Sequence, residues 1–231
     1  MFSFKQFLVE HDQSSMKVGT DAVLVGAWSD VNNATSVLDV GTGCGIISLM
    51  VAQRNSHAII EAVDIHAESI EEAKGNFQRS PWSNRVNAIQ CDFLELQCVK
   101  KYDIIVSNPP FFCNGILPSQ ESRRNARHTQ RLTYFQLLNK SKSILNNDGK
   151  ISIITPIEAF QEIIDICVKL NLYVTQMCKV FPIDNSPAKR ILWEIALVPS
   201  ITNESTLVIE KSQGNYTAEF KALCRDFYLK F

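Results

Sequence analysis

The residues best suited to chemistry follow a short apolar run, in the sequence DIIVSNPPFF at residues 103–112. Residues 104–106 are apolar and β-branched, which is typical of a strand buried on both faces of a sheet. The strand must end at Asn108, because the two prolines that follow have no N–H and a fixed φ. Pro110 also restricts Pro109 to extended backbone, so the Pro109 carbonyl is held rigidly. Two neighbouring acceptors beside aromatic residues suit a planar ring that carries an amine.

Chemistry at such an amine would depend on both acceptors. The exocyclic amine of adenine is a weak nucleophile, because its lone pair is spread into the ring. If the Asn108 side-chain oxygen and the Pro109 carbonyl each accept one N–H, the nitrogen becomes more pyramidal and electron-rich. Fixed dipoles aimed at a transition state contribute about 2.7–4 kcal/mol each, and an aromatic such as Phe111 adds about 1–3 kcal/mol per stacked base. An ordinary Asn-Pro-Pro turn is the alternative.

The segment IVSNPPF at residues 105–111 matches the signature of amino-group methyltransferases that use S-adenosylmethionine. It resembles adenine-N6 DNA and RNA methyltransferases, guanine-N2 rRNA methyltransferases and the glutamine methyltransferases of release factors alike. The signature therefore indicates the reaction more closely than the substrate. The resemblance implies a catalytic element made of Asn108, Pro109, Pro110 and Phe111.

A glycine-rich turn, GTGCG at residues 41–45, connects an apolar strand at residues 37–40 to a helical run. Glycine lets the backbone approach a ligand closely, which makes Gly41 and Gly43 candidate contacts. The loop is shorter than those that hold a dinucleotide pyrophosphate at a helix N-terminus. S-adenosylmethionine has no phosphate but has a cationic ammonium and sulfonium, which the acid Asp39 would favour. Such turns also serve as plain tight connections.

Two more acids follow the next two predicted strands. Asp64 lies 19 residues after the last glycine of the turn, close to the spacing of an acid that bonds ribose hydroxyls. Asp92 could accept from the adenine amine of the cofactor, and Phe93 could pack on its ring; a solvated carboxylate and a core aromatic are the alternatives. These two acids, Asp39 and Asn108 all stand at strand ends. A parallel sheet would therefore bring all four to one edge.

Basic residues cluster in two places after this segment. The first cluster is a polar loop containing Arg123, Arg124 and Arg127, before a helix predicted from about residue 133. The second is a tip between two strands, with Lys189 and Arg190. Such cations are candidate contacts for RNA phosphates, with a solvated, charged surface helix as the alternative for the first cluster. Because the net charge is −1, nucleic acid must be held by local patches.

Length and composition exclude several classes of protein. The 231 residues suit one domain and the 45% hydrophobic share is ordinary for a globular protein. No run of about 20 apolar residues predicts a membrane span, and the first residues lack a signal-peptide layout. Seven scattered cysteines favour free thiols in a reducing cytosol, and four distant histidines indicate no metal cluster. We therefore expect a cytoplasmic monomer without a metal.

Strands alternate with helices along the chain, which predicts an α/β fold with a doubly wound, mostly parallel sheet. The layout resembles the Rossmann-like class I methyltransferase fold, with seven strands of which the last is antiparallel. A short edge strand is predicted at residues 206–210, a turn at 146–149 and a helix at 216–229, and Thr20 or Asp21 is predicted to cap the first helix. We expect one methyltransferase domain at 1–231, with an N-terminal cap segment and edge helix at 1–35, a core at 36–200, and a C-terminal strand and helix at 201–231.

A closer resemblance covers nearly the whole chain. The segments FKQFLVEHDQSSMKVGTDAVLVGAW, LDVGTGCGIISLMVAQR, SPWSNRV, DIIVSNPPFF and NYTAEFKALCRDFYL look like the bacterial tRNA(Val) adenine-37 N6-methyltransferases. The resemblance implies methyl transfer from S-adenosylmethionine to N6 of the adenine just 3′ of the anticodon, with tRNA as the partner. It places residues 17–21 over the methionine end of the cofactor, so Lys17 and Thr20 are implied contacts. It also implies cofactor contacts at Asp39, Gly41, Asp64, Asp92 and Asn108.

Other functions remain open at this point. Guanine-N2 methylation of rRNA and N5 methylation of a protein glutamine use the same NPPF element. A non-catalytic RNA-binding scaffold is a further alternative, although such subunits tend to lose the NPP element or the acid after the second strand. Both features are intact in this sequence.

Overall fold

A mixed β-sheet with helices on both faces forms the body of the protein in a computed structural model that describes residues 1–12, 17–97, 100–109 and 132–231. A separate hairpin pairs β1 (Phe2–Ser3) with β2 (Leu8–Val9). The strands of the main sheet are β3 (Ser36–Val40), β4 (Ile59–Asp64), β5 (Val86–Gln90), β6 (Tyr102–Ser107), β7 (Leu145–Pro156), β8 (Tyr173–Ile183), β9 (Arg190–Ala196), β10 (Asn203–Ser212) and β11 (Asn215–Tyr216). The helices are α1 (Thr20–Trp28), α2 (Ile46–Arg54), α3 (Ala67–Arg79), α4 (Tyr134–Ile144), α5 (Phe160–Leu170) and α6 (Ala218–Cys224).

The main sheet has the strand order β11-β10-β8-β9-β7-β6-β3-β4-β5. From β5 to β8 it contains the seven predicted strands, and β9 is antiparallel to both of its neighbours while the other pairs in this run are parallel. The predicted Rossmann-like, mostly parallel sheet is confirmed. Two further strands extend it, since β10 pairs in parallel with β8 and β11 forms a hairpin with β10.

Apolar layers cover the two faces of this sheet. The layer on one face packs side chains of α1, α2, α3 and α6 against the strands, and the layer on the other face packs α4 and α5. Neighbouring strand residues point to opposite layers, as Ile104 and Ile105 do. Burying such a side chain contributes about 1.5–3 kcal/mol. The β-branched run before Asn108 is therefore buried on both faces, as its composition predicts.

Three local predictions differ from the structure. Gly19, not Thr20 or Asp21, is the N-cap of α1, and no side chain caps that helix end. The residues predicted as a turn at 146–149 lie within β7, where the pairing with β6 shifts register between Leu145 and Lys150. The helix predicted at 216–229 is limited to α6. The apolar spacing beyond α6 arises because Phe227 and Tyr228 pack on the body of the protein without being helical.

The two ends of the described chain pack on the same apolar layer. Phe4 and Phe7 stack with ring centroids 4.6 Å apart, and Phe4 also stacks on Tyr228 at 6.0 Å. The Lys5 amide donates to the Phe227 carbonyl at 2.8 Å. Across the described residues, we find no helix with the length and apolar content that a membrane span requires.

Candidate active site

The strand register sets the geometry of the predicted site. Val40 of β3 lies opposite Val63 of β4 on one side and Ser107 of β6 on the other. Neighbouring strands are about 4.8 Å apart, so the residues that follow at the same level form a short row across the sheet edge. That row consists of Asp64, Gly41 and Asn108.

The glycine turn has the backbone that its sequence predicts. Gly41, Gly43 and Gly45 have φ of +71°, +55° and +84°, which favours glycine at each position. A Cβ added to Gly41 or Gly43 would meet no atom within 4 Å, whereas one added to Gly45 would lie 2.4 Å from Cε1 of Phe77. The first two glycines therefore border open space, and the third is packed against α3.

Asp39 lies beneath the turn and is fully buried. Its Oδ2 accepts hydrogen bonds from Thr42 Oγ1 at 2.7 Å, Ser48 Oγ at 2.7 Å and the Ser48 amide at 3.1 Å. Burial raises the pKa of this carboxyl to about 6, although the hydrogen bonds from Thr42 and Ser48 oppose that rise. Asp39 thus holds the turn to the beginning of α2. Its other oxygen, Oδ1, has no hydrogen-bond partner among the described residues.

Asp64, at the end of β4, and Asp92, after β5, have different surroundings. Asp64 accepts from the Gly43 amide at 2.9 Å and the His66 amide at 3.0 Å, so its carboxylate adjoins the glycine turn. Asp92 accepts from the Leu94 amide at 2.9 Å and caps a short 3₁₀ turn. Phe93 is buried in the layer beneath α4 and α5, which favours the core alternative for this aromatic. The cofactor roles of these residues stay predictions.

The side-chain oxygen of Asn108 accepts no hydrogen bond from the described residues. This oxygen, Oδ1, is buried. Ser107 Oγ donates to the Val40 carbonyl at 2.7 Å and fixes the end of β6 against β3. Pro109 is buried, while Pro110 and Phe111 lie outside the described residues. A buried acceptor left unpaired costs about 1–3 kcal/mol, so this corner is suited to a ligand that brings an N–H.

The second predicted basic cluster lies at the same edge of the sheet. Arg190 begins β9 opposite Pro156, the last residue of β7, which runs parallel to β6. The Arg190 Nε donates to Asp21 Oδ2 at 2.8 Å, which connects this tip to the start of α1. Lys189 is exposed beside it. The predicted RNA contacts Arg123, Arg124 and Arg127 lie outside the described residues.

The segment before α1 is held by a residue that no sequence motif singles out. The Val18 amide donates to His11 Nδ1 at 3.1 Å. Lys17 and Thr20, the implied cofactor contacts of this segment, are both exposed. Among the described residues, no group of three or more His, Cys, Asp or Glu side chains could hold a metal ion.

Comparison with known proteins decides the family. The methyltransferase small-domain model matches residues 14–170. The tRNA1(Val) (adenine(37)-N6)-methyltransferase of Trichodesmium erythraeum is 42% identical over 236 residues, covering 100% of this chain and 98% of its own. That of Vibrio vulnificus strain YJ016 is 38% identical, covering 99% of this chain and 95% of its own. The chain belongs to this methyltransferase family.

Solved structures agree with the family fold. A predicted O-methyltransferase from Agrobacterium tumefaciens superposes with a TM-score of 0.70 at 17% identity, covering 90% of this chain and 96% of its own. A putative RNA methyltransferase from Pyrococcus horikoshii gives a TM-score of 0.56 at 16% identity, covering 85% and 93%. The methyltransferase adopts the class I fold of S-adenosylmethionine-dependent enzymes, as the sequence predicts.

Proposed function

We propose that this methyltransferase transfers a methyl group from S-adenosylmethionine to the exocyclic N6 of adenine 37 in the anticodon loop of tRNA(Val). The observation that carries the proposal is the buried Oδ1 of Asn108 at the end of β6, which has no hydrogen-bond partner among the described residues and lies level with the glycine turn. Relatives that match the full chain at 38–42% identity are named for this reaction, which supports the choice of substrate.

The residues around the turn fit S-adenosylmethionine, which supplies a methyl group on a cationic sulfonium when bound. The open space beside Gly41 and Gly43 admits a ligand close to the backbone. The Asp64 carboxylate adjoins this turn, where it accepts from the Gly43 amide, and it would accept from the ribose hydroxyls of the cofactor. The Asp39 carboxylate contributes negative charge beneath the turn, which favours a cation there.

Two more elements complete the proposed cofactor contacts. Asp92 and Phe93 follow β5, whose last residue, Gln90, pairs with Asp64. Asp92 would accept from the adenine amine of the cofactor, with Phe93 supporting that wall from the core. Lys17 lies just before α1, and Thr20 is the first residue of that helix. Both would cover the methionine end of the cofactor.

Asn108 and Pro109 would orient the substrate amine. The Asn108 Oδ1 accepts one N–H hydrogen and the Pro109 carbonyl accepts the other, which directs the nitrogen lone pair toward the methyl group. Holding two reactants in line contributes about 7–11 kcal/mol. The amine proton leaves after transfer, when the nitrogen has become acidic, so no side chain is assigned as a general base.

The adenine must leave its stack to reach this corner. Extruding a base costs a few kcal/mol, and less where the strand is already single, as in an anticodon loop. Lys189 at the same edge of the sheet would contact a phosphate of that loop. The aromatic ring of Phe111 would stack on the extruded adenine.

Mass spectrometry of nucleosides tests this function. Unmodified tRNA(Val) transcript is incubated with the protein and isotopically labelled S-adenosylmethionine, then digested to nucleosides. We expect labelled N6-methyladenosine, and its loss from a transcript in which adenine 37 is replaced by guanine. Label in N2-methylguanosine of rRNA, or in the glutamine of a protein substrate, without label in tRNA would overturn the proposal.

A further inference from the structure

A buried asparagine on α3 joins the glycine turn to the N-terminal segment. Asn76 is fully buried. Its Nδ2 donates to the Cys44 carbonyl in the turn and to the Glu10 carbonyl, both at 2.8 Å. Its Oδ1 accepts from the Glu10 amide at 2.9 Å and from Arg79 at 2.8 Å. The amide thus uses both of its donors and accepts two hydrogen bonds, the most that its geometry allows.

The same part of α3 supports the turn through packing. Gly45 faces α3 so closely that an added Cβ would lie 2.4 Å from Phe77 Cε1 and 3.3 Å from Ala73 Cβ. The turn therefore rests on α3 at two successive residues, with a hydrogen bond to Cys44 and a contact at Gly45. The position of the backbone beside Gly43 is therefore set in part by α3.

From Glu10 the contacts continue to the segment before α1. Glu10 also pairs with Arg79 at 2.9 Å, which keeps the end of the β1–β2 hairpin on α3. The next residue, His11, accepts from the Val18 amide at 3.1 Å. Beyond Val18, Asp21 is held by Arg190 at 2.8 Å. Residues 17–21 are thus connected to the glycine turn by way of Glu10 and Asn76.

We infer that Asn76 is a positioning residue that couples the backbone of the glycine turn at Cys44 to the backbone of Glu10, which is connected through His11 to Val18 before α1. The inference rests on the proposed function for its ligand. A ligand seated against Gly41 and Gly43 fixes the Cys44 carbonyl, and Asn76 passes that constraint to both backbone groups of Glu10. Because coupling between two sites is reciprocal, a fixed Glu10 backbone in turn raises the affinity of the turn for the ligand.

Asn55 provides a matched control. It is buried, its Nδ2 donates to the carbonyls of Val31 and Ala34, and its Oδ1 accepts from the amides of His57 and Ala58, at 2.6–2.8 Å. It follows α2 and precedes β4, at the sheet edge opposite the glycine turn. Replacing Asn55 removes as many hydrogen bonds as replacing Asn76, without touching the turn.

Calorimetric titration with S-adenosylhomocysteine separates positioning from general stability. The full-length variants Asn76→Ala and Asn55→Ala are compared with wild type at a temperature where circular dichroism shows all three folded. We expect Asn76→Ala to weaken binding by about tenfold or more, a typical coupling between sites, and to raise KM for S-adenosylmethionine more than it lowers kcat. Asn55→Ala should bind within about twofold of wild type, because coupling travels through physical contacts that it does not share. Equal binding by wild type and Asn76→Ala, or equal weakening in both variants, overturns the inference.

Hydrogen exchange of the wild type provides a test that does not depend on a variant that folds. Adding S-adenosylhomocysteine should slow exchange of the Glu10 amide, which donates to Asn76 and lies outside the predicted cofactor contacts. Asn76→Asp, which keeps the acceptor and loses both donors, should abolish that slowing. Bound ligand without any change at the Glu10 amide overturns the coupling and leaves the proposed function intact. Failure of the wild type to bind the ligand overturns the proposed function itself.

Discussion

Two asparagines near the active site, the buried Asn76 and the half-buried Asn108, have opposite hydrogen-bonding states. Asn76 is saturated, whereas the Oδ1 of Asn108 has no partner in the described ranges. The sequence identifies Asn108 because two prolines end its strand and leave an acceptor pair. It cannot identify Asn76, whose partners in the turn and the N-terminal segment lie 32 and 66 residues away along the chain. Local patterns predict the first kind of residue, and only the tertiary fold reveals the second.

Removal of the Asn108 amide tests its role in the reaction. Asn108→Ala should lower methyl transfer by about a hundredfold or more, because a fixed acceptor is lost where charge develops in the transition state. Its affinity for S-adenosylhomocysteine, measured by calorimetry, should stay near that of wild type. Asn87→Ala, at an exposed position of β5, is the control. Unchanged turnover in Asn108→Ala would contradict the proposed role.

Alanine at two glycines of the turn should have different consequences. Both have positive φ, which costs about 1–2 kcal/mol for alanine. Gly45→Ala also forces a Cβ onto Phe77, and such overpacking adds about 1–3 kcal/mol. Urea denaturation should therefore find Gly45→Ala clearly less stable than Gly43→Ala. Gly43→Ala should instead weaken cofactor binding, because its Cβ enters the open space; equal stability of the two variants would contradict the packing argument.

At the scale of helices and strands, the fold was predictable where apolar patterns are strong. The seven central strands are apolar runs between turns, and α4 begins with a capping box between Thr133 and Gln136 close to the predicted start. The residues of β10 that precede the predicted strand at 206–210, Asn203 to Ser205, are polar and exposed, so the sequence gives no strand pattern there. The β1–β2 hairpin has two-residue strands, too short for any periodicity. The polar beginning of β10 forms a strand because it pairs with β8, which lies far from it along the chain.

Asp103 at the start of β6 ties three strands together. It accepts from the amides and hydroxyls of Thr35 and Ser36 before and within β3, and from the Asn146 side chain in β7. Burial raises the pKa of Asp103, but the hydrogen bonds from Thr35, Asn146 and Ser36 outweigh it and lower the pKa to about 2. The ionised carboxylate therefore stabilises the fold above its unfolded pKa of 3.8. That contribution is lost as the pH falls toward 2.

Asp103→Asn should show this pH dependence. At pH 7 the variant should lose about 1–2 kcal/mol of unfolding free energy, less than the full pKa shift implies because the carboxylate is partly exposed. The difference from wild type should shrink as the pH falls from about 4 to about 2, because the unfolded carboxylate is protonated first and the native one is half protonated near pH 2. Urea denaturation along this pH series measures it. A difference that stays constant with pH would contradict the electrostatic account.

At the scale of the whole molecule, the parallel topology places the proposed chemistry at one edge of the sheet and structural contacts such as Asp103 at the other. The net charge of −1 gives no overall attraction to RNA. Attraction must come from cations at the reactive edge, of which Lys189 is exposed and Arg190 is engaged by Asp21. The sequence placed both in one basic tip, but it could not tell which of them forms an internal ion pair.

Charge reversal at Lys189 tests the proposed orientation of the RNA. Lys189→Glu should weaken binding of the anticodon stem-loop and flatten its salt dependence, since each lost phosphate contact removes about 0.7–0.9 from the slope of log affinity against log salt. Lys101 is exposed just before β6, at the opposite edge of the sheet. Lys101→Glu should therefore leave the affinity for the stem-loop and its salt dependence unchanged. Fluorescence anisotropy over a range of salt concentrations measures both. Equal loss in the two variants would indicate a nonspecific effect of net charge.

The Oδ1 of Asn108, which has no partner in the described part of the chain, also bears on how this enzyme could be engineered. An unsatisfied acceptor lowers the stability of the ligand-free protein, and an apolar side chain of similar volume would remove that burden. A screen that rewards heat resistance alone would therefore favour the replacement of Asn108 and yield robust but inactive proteins. Engineering this enzyme for thermostability therefore requires a simultaneous selection for turnover. Alternatively, Asn108 can be left out of the mutated positions.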